Sequence, residues 1–424
     1  MNVLPRRPRL APLVLATMAS QALLVVLAPT IVAIGQEFDA SVGAVGQARS
    51  ITAAVAIAAS IAMAGRVDAI GLPRLLALGA AGAIVACGAI AASPTLAVFL
   101  VSHLVAGLAI ACLLSVGFAG TAAFPKERRA RAIGYVAGAN ALAWIIVNPV
   151  VGVATDWLSW RAAQAIPAAI AAAAFLAAPR AASTQAGSTA PRLRSLLAVR
   201  SARRWIGAEL IAYSAWTALL TYIGAFFLES LGVGEATVGW CLAGGAAAYF
   251  LAATRGGALA NRIPRRHVVA ASAVVMAALV GFQLNLTGSV AVAVGVFCLT
   301  GLVAGIRTPA SSGLGLEQLP DHPGAMMAAR TAATQLGYLL GAVIGGAVIA
   351  GPGYGALGFA LAAGMGLSAL LIMRVSSPFE ASGESPNEAK TRQSPAPRPV
   401  RRCLQPGTAR AETIRGWISA SIYR

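Results

Sequence analysis

Apolar residues run in long unbroken blocks along most of this chain, and polar residues gather in short interruptions between them. A helix rises 1.5 Å per residue and a bilayer's hydrocarbon core is about 30 Å thick, so about 20 consecutive apolar residues cross it. Blocks of that length stand near 11–36, 43–65, 73–93, 96–120, 132–154 and 162–179. A second set stands near 205–229, 236–255, 267–286, 288–313, 325–350 and 354–374. The pattern predicts twelve membrane-crossing helices. A transmembrane β-barrel would instead need many alternating segments of about ten residues. The longest polar interruption, 180–204, is rich in Ser, Thr, Pro and Arg and divides the blocks six and six. The expected organisation is a six-helix bundle over 1–179, a cytoplasmic linker over 180–204, a second bundle over 205–374 and a disordered cytoplasmic tail over 375–424. Arg6, Arg7 and Arg9 precede the first block as in a signal peptide. That block is too long for a cleaved leader and eleven more follow it, so it reads as an uncleaved first helix.

Composition narrows the class. Of 424 residues, 58% are hydrophobic and 11% charged, whereas a soluble domain carries about 25% charged residues. That excludes a soluble enzyme, a disordered chain and a fibrous protein. The formal net charge of +18 would suggest nucleic acid in a soluble protein. Here the basic residues fall in alternate interhelical segments: Arg66 and Arg74; Lys126, Arg128, Arg129 and Arg131; the 180–204 stretch; Arg255, Arg262, Arg265 and Arg266. The intervening segments hold Glu37, Asp39, Asp156, Glu229 and Glu235, with Arg161 as the basic exception. The positive-inside rule then places both termini in the cytoplasm, with the chain in a cytoplasmic (inner) membrane. The lipid bilayer is a partner and nucleic acid is not. Five cysteines show neither Cys-x-x-Cys nor Cys/His ligand spacing, so no metal site and no disulfide framework are expected. The chain has no GxxxxGK[ST], HExxH or GxSxG motif, so neither ATP hydrolysis, nor covalent catalysis, nor a cofactor is expected. A monomer is expected.

The two sets of blocks align at an offset near 193–195. Ala64-Gly65-Arg66-Val67-Asp68-Ala69-Ile70-Gly71-Leu72-Pro73-Arg74 follows the second block, and Gly257-Ala258-Leu259-Ala260-Asn261-Arg262-Ile263-Pro264-Arg265-Arg266 follows the eighth. These stretches resemble the loop motif of the major facilitator superfamily, Gly-x-x-x-Asp-Arg/Lys-x-Gly-Arg/Lys-Arg/Lys. Asp68 and Gly71 stand at its Asp and second Gly, and Arg74 survives of its basic positions. Gly257, Arg262, Arg265 and Arg266 fit in the second copy, with Asn261 for the Asp. Asn148-Pro149-Val150-Val151-Gly152, with Gly138 upstream, resembles the fifth-span Gly/Pro motif of antiporters in this superfamily. Trp157-Leu158-Ser159-Trp160-Arg161 resembles the Trp-Arg pair of drug and sugar efflux permeases. The resemblance implies an all-α membrane protein of twelve helices in two pseudo-symmetric bundles, working by alternating access with the substrate site between the repeats. It also implies export of a small-molecule substrate (a drug-like compound, sugar or metabolite) in exchange for protons. Uptake or facilitative transport, and a non-transporting ligand-sensing homologue, are the alternatives. Asp68 would hold a gating contact with helix N-termini and arginine in one conformation.

Several residues inside the blocks carry candidate chemistry. His103 stands four residues before Gly107, where the family often has Arg, and imidazole titrates near physiological pH. It reads as a proton or substrate group, or as a neutral histidine satisfied by a neighbouring helix. Arg307 and Glu209 should both lie in the cytoplasmic third of the second set, either paired or snorkelling separately to the interface. Tyr213, Trp216, Thr217 and Tyr222 recur at helical spacing in the seventh block, as a cavity face or an interfacial belt. Gln21, Asn140, Asn148, Trp144, Gln335 and Tyr338 are polar or aromatic groups near midplane, able to contact substrate or another helix. Pro149 should bend its helix, and Gly138 and Gly152 should admit close helix neighbours.

Overall fold

A computed structural model describes residues 9–63, 70–124, 126–181, 198–259, 263–319 and 323–375, which contain helices and no strand. Twelve helices are long and apolar enough to cross a membrane. They are α1 (Ala11–Glu37), α2 (Val42–Met63), α3 (Leu72–Ala91), α4 (Leu96–Ala119), α5 (Lys126–Trp157) and α6 (Trp160–Arg180). The second set is α7 (Arg200–Leu231), α8 (Glu235–Leu259), α9 (Arg265–Gln283), α10 (Val290–Gln318), α11 (Pro323–Ala350) and α12 (Gly353–Met373). The helices α5, α7 and α10 overrun their apolar blocks. Arg, Lys and Glu are good helix formers, so the backbone ladder continues past the point where the side chains turn polar. Proline marks the internal breaks. Pro29 and Pro167 lack the N–H that would reach back four residues, and the ladders of α1 and α6 are interrupted at Val26 and Gln164.

The packing repeats with the sequence. In the first six helices, α1 packs on α4, α5 and α6, α3 on α4 and α6, and α2 on α4. In the last six, α7 packs on α10, α11 and α12, α9 on α10 and α12, and α8 on α10. Between the two sets, α2 lies along α11, α5 along α8, and α1 against α7. Leu78, Val85, Val101, Leu108, Phe359 and Leu370 face outward in the spans. Such a belt fits lipid, where helices satisfy their own backbone polar groups.

The contacts between the sets are tightest at the end away from Ala11 and Arg200. A Cβ on Gly43 would stand 2.6 Å from the Gly346 carbonyl oxygen, and one on Gly239 2.5 Å from that of Asn148. Gly224 backs on the Ala28 carbonyl and Gly152 on that of Glu235. Gln47 Nε2 of α2 donates across to the Ala342 carbonyl of α11 at 3.2 Å, the oxygen that also accepts from the Tyr222 hydroxyl at 2.7 Å within the last six helices. Towards the other end, a Cβ on Gly134, Gly138 or Gly207 would meet nothing within 4 Å. Among the described residues, the closest approaches between the two sets lie at that first end, the shut end.

Arg161 braces that shut end. Its Nη1 and Nη2 donate to the carbonyls of Ala91 (2.5 Å) and Ser93 (2.8 Å), just past α3. Its Nε and Nη2 also donate to Glu37 Oε1, while Trp160 Nε1 donates to Glu37 Oε2. The lone basic residue among the acidic loops thus joins the ends of α1, α3 and α6.

Candidate functional site

The interior holds an ionic cluster built on α7, α10 and α11. Glu209 is fully buried, and Arg307 Nη2 donates to its Oε1 at 2.6 Å. Arg330 Nε lies 3.3 Å from Oε2. Glu209 and Tyr213 are four residues apart on α7, so they share a face. Arg330 exploits this: its Nη2 donates to the Tyr213 hydroxyl, and its guanidinium lies 5.2 Å from the ring centroid. Beneath the cluster, Trp205 Nε1 donates to Ser311 Oγ at 3.2 Å, and the missing side chain of Gly315 makes room for the indole. Isolated charges at this depth are costly, so the pairing keeps all three ionised groups inside the protein. Tyr213, Trp216, Met276, Arg307, Thr308 and Met365 line a small cleft of about 20 Å³ beside it. Of the two sequence readings, the structure brings Arg307 and Glu209 together; neither snorkels.

Two members of the charged interior escaped sequence reasoning. Arg330 lies eight residues into α11 and Arg49 eight into α2, close enough to loop residues to pass for flanking charge. Arg49 is 2% exposed. Its Nη2 donates to the Leu24 carbonyl at 2.5 Å, and its guanidinium sits 5.5 Å from the Tyr338 ring centroid. Its position among apolar residues of the second block was the available signal.

The remaining candidates separate into two groups. Gln21 Oε1 accepts from Trp144 Nε1 at 3.1 Å, joining α1 to α5. Asn148 is buried, and its Nδ2 donates to the Trp144 carbonyl at 2.6 Å. Asn140 and Gln335 are half-buried. His103 is buried away from the ionic cluster; its Nδ1 is 2.8 Å from the Phe99 carbonyl of its own helix, and its ring lies 4.6 Å from that of Phe99. Its partner is its own preceding turn, not a neighbouring helix. Pro149 sits inside a continuous α5. Gly152 does admit α8, but Gly138 faces open space and supports no close approach. Gly71 takes φ +82°, a conformation that favours glycine, where the chain enters α3. Arg74 is exposed, Gly257 lies in the last turn of α8, and Arg265 pairs with Glu317 at 2.6 Å, joining α9 to α10. Arg266 is half-buried at the start of α9. Asp68, Asn261, Arg262, most of the 180–204 stretch and nearly all of 375–424 lie outside the described residues.

Chemically, the cluster holds one carboxylate between two guanidiniums. Among the described residues, no three of His, Cys, Asp and Glu gather as a metal ion would require. Among known proteins, the family model of the Major Facilitator Superfamily matches residues 13–208 and again 205–419. No curated protein matches the chain.

Proposed function

The chain belongs to the Major Facilitator Superfamily and is a multi-pass membrane transporter of that all-helical fold, and from this premise we propose that it exports a small organic molecule in exchange for protons. The moving bodies are residues 1–179 and 205–374, joined by the 180–204 linker, and they rock about the substrate site. The membrane is the cytoplasmic (inner) one, and both termini face the cytoplasm. With that orientation, the shut end described above is the outer one.

One observation carries the reading: a fully buried carboxylate, Glu209, shared by two arginines beside an aromatic cleft. A proton arriving on Glu209 removes its charge and with it the ion pairs to Arg307 and Arg330. Both guanidiniums are then free to re-pair with another helix face. Proton occupancy and the arrangement of α7, α10 and α11 are thereby linked, as an exchanger needs. His103 is the weaker coupling residue, because its ring already spends one nitrogen on its own helix and packs on Phe99.

The test is proton movement in energised inside-out vesicles with a fluorescent pH probe, challenged with lipophilic cations, sugars and organic acids. A compound that dissipates the gradient only in vesicles bearing this protein, and not with Glu209→Gln, supports proton-coupled export. A flat response to the whole panel, with radiolabelled compounds still entering or binding, refutes it in favour of uptake or ligand sensing.

A further inference from the structure

Three guanidiniums (Arg49, Arg307 and Arg330) and one carboxylate (Glu209) occupy the described membrane interior, leaving it two charges in excess of neutrality. One of the two belongs to Arg307 and Arg330, which share Glu209, and the other is Arg49. Among the described residues no carboxylate forms a salt bridge with it; Tyr338, Tyr222 and His103 are the titratable groups that face it. Its Nη2 is used on the Leu24 carbonyl, but its buried Nη1 has no hydrogen-bond partner among the described residues. A buried cation with an unmet donor is costly. It persists where a ligand supplies the missing acceptor and charge.

The surroundings of Arg49 define that ligand. Tyr338, under the guanidinium, also faces Tyr213, whose hydroxyl accepts from Arg330. Arg330 and Tyr338 are eight residues apart on α11, about 12 Å along its axis. Tyrosine therefore links Arg49 to the Glu209 cluster. Arg49 belongs to the first six helices, and Tyr338, Tyr213 and Arg330 to the last six. A molecule with its anion on Arg49 and its body on the aromatic groups touches both sets at once, as cargo carried between them must.

We infer that the transported substrate is a small organic oxyanion, carrying a carboxylate or phosphate, whose charged group pairs with Arg49 and whose apolar body lies against Tyr338 and Tyr213. This deepens the transport reading and rests on it. Guanidinium suits the task because its planar fork gives two parallel donors to an oxyanion. Glu209 completes the logic. While ionised it occupies Arg307 and Arg330, leaving Arg49 as the only unpaired cation of the four charged groups.

The test uses the full chain in proteoliposomes and measures counterflow of radiolabelled benzoate, succinate and glycerol 3-phosphate. Tetraphenylphosphonium and glucose serve as the cationic and neutral probes. Saturable exchange of at least one anion is expected, with Arg49→Gln weakening its apparent affinity by about 30-fold or more, the usual cost of losing one partner of a buried charge pair. Exchange of tetraphenylphosphonium or glucose but of no anion would overturn the oxyanion assignment and leave the transport reading standing. Absence of exchange for every probe would defeat both. Unaltered anion exchange in folded Arg49→Gln would remove Arg49 from the site. Should that variant fail to fold, Arg49→Lys decides: it keeps the charge and loses the fork, so weakened anion exchange supports the assignment and unchanged exchange overturns it.

Discussion

Replacing Gly346 with alanine perturbs the shut end at a close contact without touching the ionic cluster. The added methyl would stand 2.7 Å from the Tyr222 hydroxyl, 2.8 Å from Gln47 Nε2 and 2.8 Å from the Gly43 carbonyl. Ordinary contacts lie at about 3.5–4.0 Å. None of the three neighbours yields freely, because Tyr222 and Gln47 are both bonded to the Ala342 carbonyl and Gly43 presents backbone. Overpacking of this kind costs about 1–3 kcal/mol. The clashes with Gln47 and Gly43 exist only in the conformation in which α2 meets α11, so their share of the penalty shifts the balance towards the alternative, by at most about 5- to 150-fold. The assay is the distance between spin labels at Gln36→Cys and Gly351→Cys, both exposed at that end, in a background cleared of the native cysteines. Gly346→Ala should add a longer-distance population. Gly366→Ala, where a Cβ would meet nothing within 4 Å, is the matched control and should not. Identical distance distributions in the two variants would refute the reasoning.

Two further predictions concern charge. Glu209→Gln leaves Arg307 and Arg330 buried without their counter-ion and should destabilise the folded protein by about 3–5 kcal/mol, read as a lower midpoint in thermal unfolding; the joint change Glu209→Leu with Arg307→Leu should recover part of that loss, and a double variant worse than the single would contradict the pairing. Arg161→Ala removes the donors to the Ala91 and Ser93 carbonyls and should cost about 1–3 kcal/mol by the same measurement, with Glu37→Ala costing less because it leaves those two bonds in place.

Much of the site was legible because burying charge in lipid is expensive enough to leave few reasons for it. Glu209 and Arg307 stood out as single charges inside apolar blocks, and the structure joins them. Arg49 and Arg330 are chemically equivalent signals, yet each lies within about two turns of a helix end, where the sequence alone cannot tell a snorkelling arginine from an inward one. His103 drew notice by residue type and by its place in a family pattern. Type says nothing about the partner, and the nearest acceptor is a carbonyl of its own preceding turn. Gly138 and Gly152 read alike as small residues on α5, yet only Gly152 backs on α8, because which face a helix turns to its neighbour depends on the packing of both.

The sequence by itself determined the number of spans, their alternating direction and the division into two repeats. Those follow from hydrophobic length and charge placement, properties that each segment carries on its own. Only the tertiary structure decided which charges meet. Arg307, Arg330 and Glu209 are far apart in the chain and converge because α7, α10 and α11 pack together, while Arg49 comes to Tyr338 because α2 crosses between the sets to lie along α11. Helix rotation about its axis sets these pairings, and in an apolar solvent that rotation is fixed by small-residue contacts and buried polar bonds between helices rather than by any hydrophobic face written along one helix.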